Sequence, residues 1–309
     1  MNAKRFQIGC LLTILLAISA GCGLSRQNPR LDFNAVEPPP PVAAINADAQ
    51  ALRVAIASVL LPRETAVHYR ALANFLGERV GRPVILIQRK SYAEIALLLL
   101  NGGADIAFFS SGGYANYSGF DELKLLATQQ RMGVPYYQGY IVVAKNSGID
   151  DVAALKGKTV AFTDPLSYSG HTFFVELLRR IGQTPETFFG RYIYTYSHDD
   201  SFRAVANRVV DAASISRVVY DRAKERQPHL ADAVKIIAVS PPAGIAPVVA
   251  GKSLGRRQRE ILRQALLDLH ESPEMLPALR GLSIDRFVPP DPALFEPIRR
   301  MLQEKRDAA

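Results

Sequence analysis

From Leu52 onward, short aliphatic runs alternate with longer stretches whose apolar residues recur every three or four positions. This alternation constrains the fold more than any other feature. Leu52 to Ala57 predicts a strand. Glu64 to Val80 predicts a helix with Val67, Ala71, Leu72, Phe75, Leu76 and Val80 on its apolar stripe and Gly81 at its end. Pro83 to Ile87 predicts a second strand, Tyr92 to Leu100 a helix stopped by Asn101-Gly102-Gly103, and Ala104 to Phe109 a third strand. Two more strands follow near 124–128 and 137–144. A second series then opens with strands at 159–162, 191–194, 210–215 and 234–239 and helices at 170–181, 201–207 and 218–225. The strand at 234–239 is expected to lead back to the first series, and 254–269 and 292–303 to be helical. The chain is thus an α/β protein of two lobes, the second inserted in the first and joined to it by two hinge crossings, with a cleft between them. The boundaries expected are 51–135 with 242–309 for one lobe and 136–241 for the other.

The chain before Leu52 obeys different rules. Lys4 and Arg5 precede an apolar run, Ile8 to Ile18, too short to span a bilayer, and Ser19-Ala20-Gly21-Cys22 follows. This is the layout of a secretory signal, residues 1–21. Cys22 directly after Ala-Gly resembles a bacterial lipobox, in which that Cys carries lipid and becomes the new N-terminus; Ser19 departs from the Leu usual there. Cleavage by an ordinary signal peptidase, or an uncleaved anchor, remains open at this point. Residues 22–50 show neither period and contain Pro38 to Pro41, a stiff extended tether or a plain tail. Both cysteines, Cys10 and Cys22, lie in this leader, so the body holds no disulfide, thiolate metal site or cysteine nucleophile.

Composition narrows the function. With 48 % apolar and 21 % charged residues, the chain is globular in composition. Of the net charge of +8, +6 remains once Lys4 and Arg5 are removed with the signal. The basic residues are scattered, with one short cluster at Arg256-Arg257-Gln258-Arg259 that suits a solvated helix start, so nucleic acid is excluded as a partner. No Gly-x-Ser-x-Gly, His-Glu-x-x-His or dense Asp/His cluster occurs, which argues against an enzyme, a metal or any other cofactor. The sharpest local feature is Asp164-Pro165-Leu166-Ser167-Tyr168-Ser169-Gly170, between a predicted strand and a helix. Its hydroxyls, close-turning glycine and helix N-terminus suit a small oxyanion without Lys or Arg. The same residues also suit simple helix capping.

Five segments taken together resemble the phosphate/phosphite/phosphonate-binding proteins of ABC importers, the PhnD-like family. They are HYRALANFLGERVGRPV (68–84), KSYAEIALLLLNGGADIAFFSSGGYA (90–115), GVPYYQGYIVVAKNSGIDDVAALKGKTVAFTDPLSYSG (133–170), YSHDDSFRAVANRVVDAA (196–213) and VSPPAGIAPVV (239–249). The likeness spans about 52 to 305. It implies a two-lobed periplasmic-binding-protein fold, type II-like, with an oxyanion in the interlobe cleft. It also implies a monomer that delivers to a permease in the cytoplasmic membrane, held at the cell envelope by lipid on Cys22. Carried over position by position, it assigns the anion-binding loop to Ser167, Tyr168 and Ser169, the pocket histidine to His198, and the pocket tyrosines to Tyr92 and Tyr137.

This sequence also departs from that pattern. Tyr168 stands where the family has a small residue, and His171 where it is aromatic or apolar; an exposed polar His171 is expected. The carboxylates by which aminoalkylphosphonate binders hold an ammonium map onto Val218, Ala246 and Ser216. An ammonium there would lack an opposite charge. Arg217 nearby suits extra negative charge on a ligand or a solvated helix start, and Asp199 a helix cap. An anion sensor for a signalling receptor, or a periplasmic phosphoester hydrolase, are the competing functions.

Overall fold

The computed structural model describes residues 50–57, 62–117 and 123–307. The expected signal segment, Cys22 and the tether lie outside the described residues. The first series runs β1 (Leu52–Ala57), α1 (Pro62–Val80), β2 (Val84–Arg89), α2 (Tyr92–Leu100), β3 (Ile106–Phe108), α3 (Ser111–Tyr117) and β4 (Lys124–Gln130). A short strand, β5 (Tyr136–Tyr137), crosses to the second series. There follow β6 (Gly139–Ala144), β7 (Thr159–Phe162), α4 (Phe173–Arg180), β8 (Arg191–Tyr194), α5 (His198–Ala206), β9 (Ala212–Ser216), α6 (Arg217–Arg226) and β10 (Val234–Val239). A second crossing, β11 (Ala243–Gly244), leads to β12 (Pro247–Ala250), α7 (Arg256–Leu267), α8 (Leu276–Gly281), β13 (Arg286–Val288) and α9 (Glu296–Asp307).

Two sheets result, one per lobe. The first has the order β13-β4-β12-β3-β1-β2 and the second β10-β6-β9-β7-β8. In the first, β2, β1 and β3 are parallel while β12 runs against both β3 and β4. In the second, β8, β7 and β9 are parallel and β6 runs against both β9 and β10. The lobes therefore share one plan, and in each the reversed inner strand, β6 or β12, is the one that arrives from the other lobe. The crossings β5 and β11 pair antiparallel with each other, Tyr137 opposite Ala243 and Tyr136 opposite Gly244. β10, inside the expected 136–241, pairs with β6 in the second sheet, and the chain leaves for the first lobe after Pro241-Pro242. An apolar strand beside an open sheet edge pairs there, because unpaired ladder groups are costly.

Leu52, Leu72, Leu76, Val248, Leu262 and Phe287 fill one face of the first sheet, and Val142, Phe202, Val205, Ile215 and Val219 one face of the second. A third cluster includes Tyr92, Phe109, Phe162, Phe174 and Phe295 and joins the lobes. Away from the cleft, Asp105, 1 % exposed, fastens the start of the first sheet. Its carboxylate accepts from the Arg53 amide at 2.9 Å, from Arg53 and Arg82 guanidinium nitrogens at 2.9 and 3.2 Å, and from the Ser253 hydroxyl at 2.8 Å. Removing one partner of a buried ion pair leaves the other uncompensated. Asp105→Asn is therefore expected to lower unfolding free energy by about 2–4 kcal/mol in a urea titration, with anion affinity unchanged.

Candidate functional site

Several strands of both sheets end at one place. Tyr92 follows β2, Ser110 and Ser111 follow β3, and Gln129 and Arg131 lie at the end of β4. From the other lobe, Ser167 to Ser169 follow β7, His198 follows β8, and Ser216 ends β9. All of them line one cavity of about 30 Å³. Loops at the carboxyl ends of parallel strands are where open α/β sheets place their ligands. The volume exceeds what a single water needs and leaves little beyond a small anion.

The serine loop is built by local bonds. Asp164 Oδ1 accepts from the Leu166 amide at 2.8 Å and its carbonyl from the Ser167 amide at 2.9 Å. Ser167 is the N-cap of a wide turn, Tyr168–Thr172, that leads into α4; its hydroxyl accepts from the Gly170 amide at 3.0 Å. Such wide turns recur at functional sites. The amides of Tyr168 and Ser169 come first in the turn, where a helix has no acceptor for them. Two glycines let the loop be approached closely. A Cβ on Gly139 would stand 2.8 Å from Ser169 Cα, and one on Gly112, from the first lobe, 2.1 Å from the Leu166 carbonyl. Across the lobes, Asp164 Oδ2 accepts from the Tyr92 amide at 2.9 Å. Ser91 and Glu94 form the capping box that starts α2 and sets Tyr92 at its first position. Burial raises the Asp164 carboxyl, and the amides of Tyr92 and Leu166 oppose the rise.

His198 begins α5, whose N-cap is Ser197: the Ser197 hydroxyl accepts from the Asp200 amide at 3.1 Å. The expectation that Asp199 caps this helix is corrected, because the cap position falls one residue before the histidine. The Ser216 amide donates to His198 Nδ1 at 3.1 Å. An amide can only donate, so Nδ1 is the acceptor and Nε2 carries the proton. That N–H donates to the Ser167 hydroxyl in a long bond, 3.4 Å between nitrogen and oxygen. Complete burial holds the imidazole down at about 3, so the ring is neutral near pH 7.

The tyrosines divide into two roles. Tyr92 and Tyr137 both line the cavity; burial raises each phenol, and near Tyr137 the hydroxyls of Ser169 and Ser111 oppose the rise. Tyr168 also borders the cavity, but its hydroxyl donates to the Pro241 carbonyl at 2.6 Å and its ring meets Tyr137 edge-on at 6.1 Å. Its bulk is thus used on the two crossings, with the backbone amide left at the loop.

Among the described residues, eight buried polar side chains have an atom without a hydrogen-bond partner, and four of them line this cavity: Tyr92 Oη, Ser111 Oγ, Ser169 Oγ and Arg131 Nε. Native interiors rarely leave such groups unmet, so their convergence makes this cavity the candidate binding site. Ser111 and Arg131 were not expected from the sequence. Ser111 was readable in Ser110-Ser111-Gly112-Gly113, a polar, glycine-containing turn after a strand. Arg131 carries no motif, and it lines the cavity beside the residues the serine loop supplies. Val218, Ala246 and Ser216 line the cavity as well, and among the described lining residues no carboxylate occurs. Arg217 lies outside it, paired with Asp221 at 3.0 Å. The expectation of an exposed His171 is corrected too. It is 7 % exposed, set edge-on against Phe162 at 5.0 Å, and lines a different cavity behind the serine loop. Among the described residues, no group of three or more His, Cys, Asp or Glu is placed to hold a metal ion, and no helix is long and apolar enough to cross a membrane.

The model of a family described as "ABC transporter, phosphonate, periplasmic substrate-binding protein" matches residues 54–295. The phosphate-import protein PhnD of Mycolicibacterium smegmatis is 28 % identical over 164 residues, 50 % of this chain and 51 % of that protein. The chain thus aligns with about half the length of this relative. A binding protein component of an ABC phosphonate transporter from Pseudomonas aeruginosa superposes with a TM-score of 0.76 at 23 % identity, covering 83 % of this chain and 86 % of the other. PhnD1 from Prochlorococcus marinus, solved in complex with methylphosphonate, superposes with a TM-score of 0.74 at 17 % identity, covering 83 % and 98 %. At these identities the two structures show a shared two-lobed fold.

The neutral histidine has a consequence for pH. In the unfolded chain His198 titrates at its ordinary 6.5, and in the folded protein at about 3. Between those values only the unfolded state takes up the proton, so the stability is whole above about pH 6.5 and falls as pH drops towards 3. By pH 4 the loss through His198 reaches about 3 kcal/mol. The gap in melting temperature between wild type and His198→Gln is expected to narrow from pH 7 to pH 4. An unchanged gap would mean that burial does not depress His198 and that it takes up its proton over the same pH range in the native and unfolded states.

Proposed function

Because this chain belongs to the family of periplasmic phosphonate-binding proteins of ABC transporters, we propose that it captures a small phosphorus oxyanion outside the cytoplasmic membrane and delivers it to an ABC permease. Phosphate, phosphite and methylphosphonate are the ligands that fit this reading. One observation carries it: three unpartnered buried hydroxyls, from Tyr92, Ser111 and Ser169, meet the His198 Nε2–H in a single small cavity. A set of donors without a carboxylate suits a ligand that only accepts. Ser167, Ser169, Tyr92, Tyr137, His198 and the Tyr168 amide are the contacts proposed. The gain is a differential one, since hydroxyls that cost free energy in the empty cavity each acquire a partner in a site of low dielectric. The paired crossings at 136–137 and 243–244 suit a hinge, which supports lobes of 51–135 with 242–309 and 136–241. The relative named for phosphate import and the structural relative holding methylphosphonate fit the same ligand class.

Lipid attachment at Cys22, with the proline-rich residues beyond it as tether, would hold the protein on the outer side of that membrane. Radiolabelled palmitate should enter the wild-type chain and not Cys22→Ala.

A thermal-shift panel tests the ligand class. A tight ligand at a hundred times its dissociation constant adds about 2.7 kcal/mol to stability, so phosphate, phosphite or methylphosphonate should raise the melting temperature by several degrees. 2-Aminoethylphosphonate should raise it little, because an ammonium beside Val218 and Ala246 would be buried without a carboxylate; sub-micromolar binding of it would refute that part. Ser169→Ala is expected to weaken binding at least tenfold. In the absence of ligand it should leave stability unchanged or slightly raised, since it deletes a buried hydroxyl that has no partner. A Ser169→Ala protein that binds as wild type would remove the serine loop from the site.

A further inference from the structure

We infer that Arg131 makes the cavity sensitive to ligand charge, so that it selects a doubly charged phosphorus oxyanion over a singly charged oxyanion of the same shape. The inference rests on the function proposed above and names the residue that sets its selectivity.

Arg131 stands just beyond the end of β4 and lines the cavity. Its hydrogen bonds go to neutral acceptors. One terminal nitrogen donates to the carbonyls of Leu282 and Ser283 at 2.5 and 2.8 Å, immediately after α8, and the other to Gln129 Oε1 at 2.9 Å. Nε is buried and has no partner. The guanidinium is therefore clamped by the turn after α8 without being neutralised there. Burial lowers it only to about 10, which leaves it charged near pH 7. Arg222, on α6 of the other lobe, adds a second positive charge in its neighbourhood and donates to the Gly281 carbonyl at 3.0 Å. Asp285 opposes these from the first lobe, without a hydrogen bond to Arg131 among those described.

The remaining lining does not supply the missing negative charge. His198 is neutral, and among the described lining residues none is Asp or Glu. The starts of the Ser167 turn leading into α4 and of α5 add positive partial charge, roughly +0.5 each for a full helix dipole. Arg131 is thus the one full charge among the described lining residues, opposed from outside the lining by Asp285 and by Asp164, whose carboxylate accepts from the Tyr92 amide; with the two helix starts it makes a positive field from which a phosphonate or phosphite dianion gains more than a sulfonate monoanion. A buried charge without a counter-ion is strongly unfavourable, so the difference between one and two ligand charges is felt here more than at a surface site.

Methylphosphonate and methanesulfonate separate the possibilities in buffer well above neutral pH, where methylphosphonate has lost its second proton and the near-isosteric pair differ by one charge. Isothermal titration of the purified full chain, with phosphate and phosphite alongside, is expected to give at least hundredfold tighter binding of the preferred phosphorus dianion than of methanesulfonate. Arg131→Gln should weaken the dianion roughly 10–100-fold and change methanesulfonate much less, so that the ratio collapses. Arg131→Lys, which keeps the charge, should hold the ratio within about threefold of wild type even if both affinities drop. That variant decides the matter if Arg131→Gln unfolds after losing its hold on Leu282 and Ser283. A ratio unchanged in Arg131→Gln, a ratio lost in Arg131→Lys, or wild-type binding of methanesulfonate as tight as methylphosphonate would overturn the inference and leave the proposed transport function standing. Failure of every phosphorus oxyanion to bind the wild type would overturn both.

Discussion

A buried polar group without a partner costs free energy, and this fold keeps four of them facing one small space. Tyr92, Ser111 and Arg131 come from the first lobe and Ser169 from the second. Neither sheet could leave so many donors unmet for the sake of its own core, where polar groups are as a rule satisfied. The arrangement makes sense as half of a bond network whose other half is a ligand. Much of the surrounding structure can be read as holding these groups in position: the capping box before Tyr92, the Ser167 cap, and the Ser216 amide that sets the tautomer of His198.

The second consequence concerns how the lobes meet. The serine loop touches the first lobe twice, through the Asp164 bond to the Tyr92 amide and through the close approach of Gly112 to the Leu166 carbonyl. It also touches both crossings through Tyr168, whose ring meets Tyr137 and whose hydroxyl reaches Pro241. The element that would hold an anion is thus in contact with the first lobe and with both crossings.

Much of this was legible in the residues. The alternation of strand and helix patterns identified two α/β lobes, and the turn residues 164–170 stood out before a helix. The six expected residues, Tyr92, Tyr137, Ser167, Tyr168, Ser169 and His198, line one cavity. Other features were not legible. β10 reads as an apolar strand whichever sheet it joins, and only the open edge of β6 decides between them. His171 read as solvated because a lone histidine near a helix start usually is; its neighbours in space are Phe162 and Tyr194.

Sequence alone determined the local chemistry: which strands form, where helices start, and that a serine-rich turn precedes one of them, since these depend on residues within a few positions of each other. It also determined that no aspartate or glutamate stands at 216, 218 or 246. Only the tertiary structure decided that Arg131 lines the same cavity. Its clamp, the carbonyls of Leu282 and Ser283, lies about 150 residues away along the chain, and that juxtaposition exists only after β12 and β13 have joined the sheet on either side of β4. The physical reason is the same for His198, whose proton is placed by an amide at the end of β9. Charge and tautomer are set by what surrounds a group in space, and sequence spacing does not encode that.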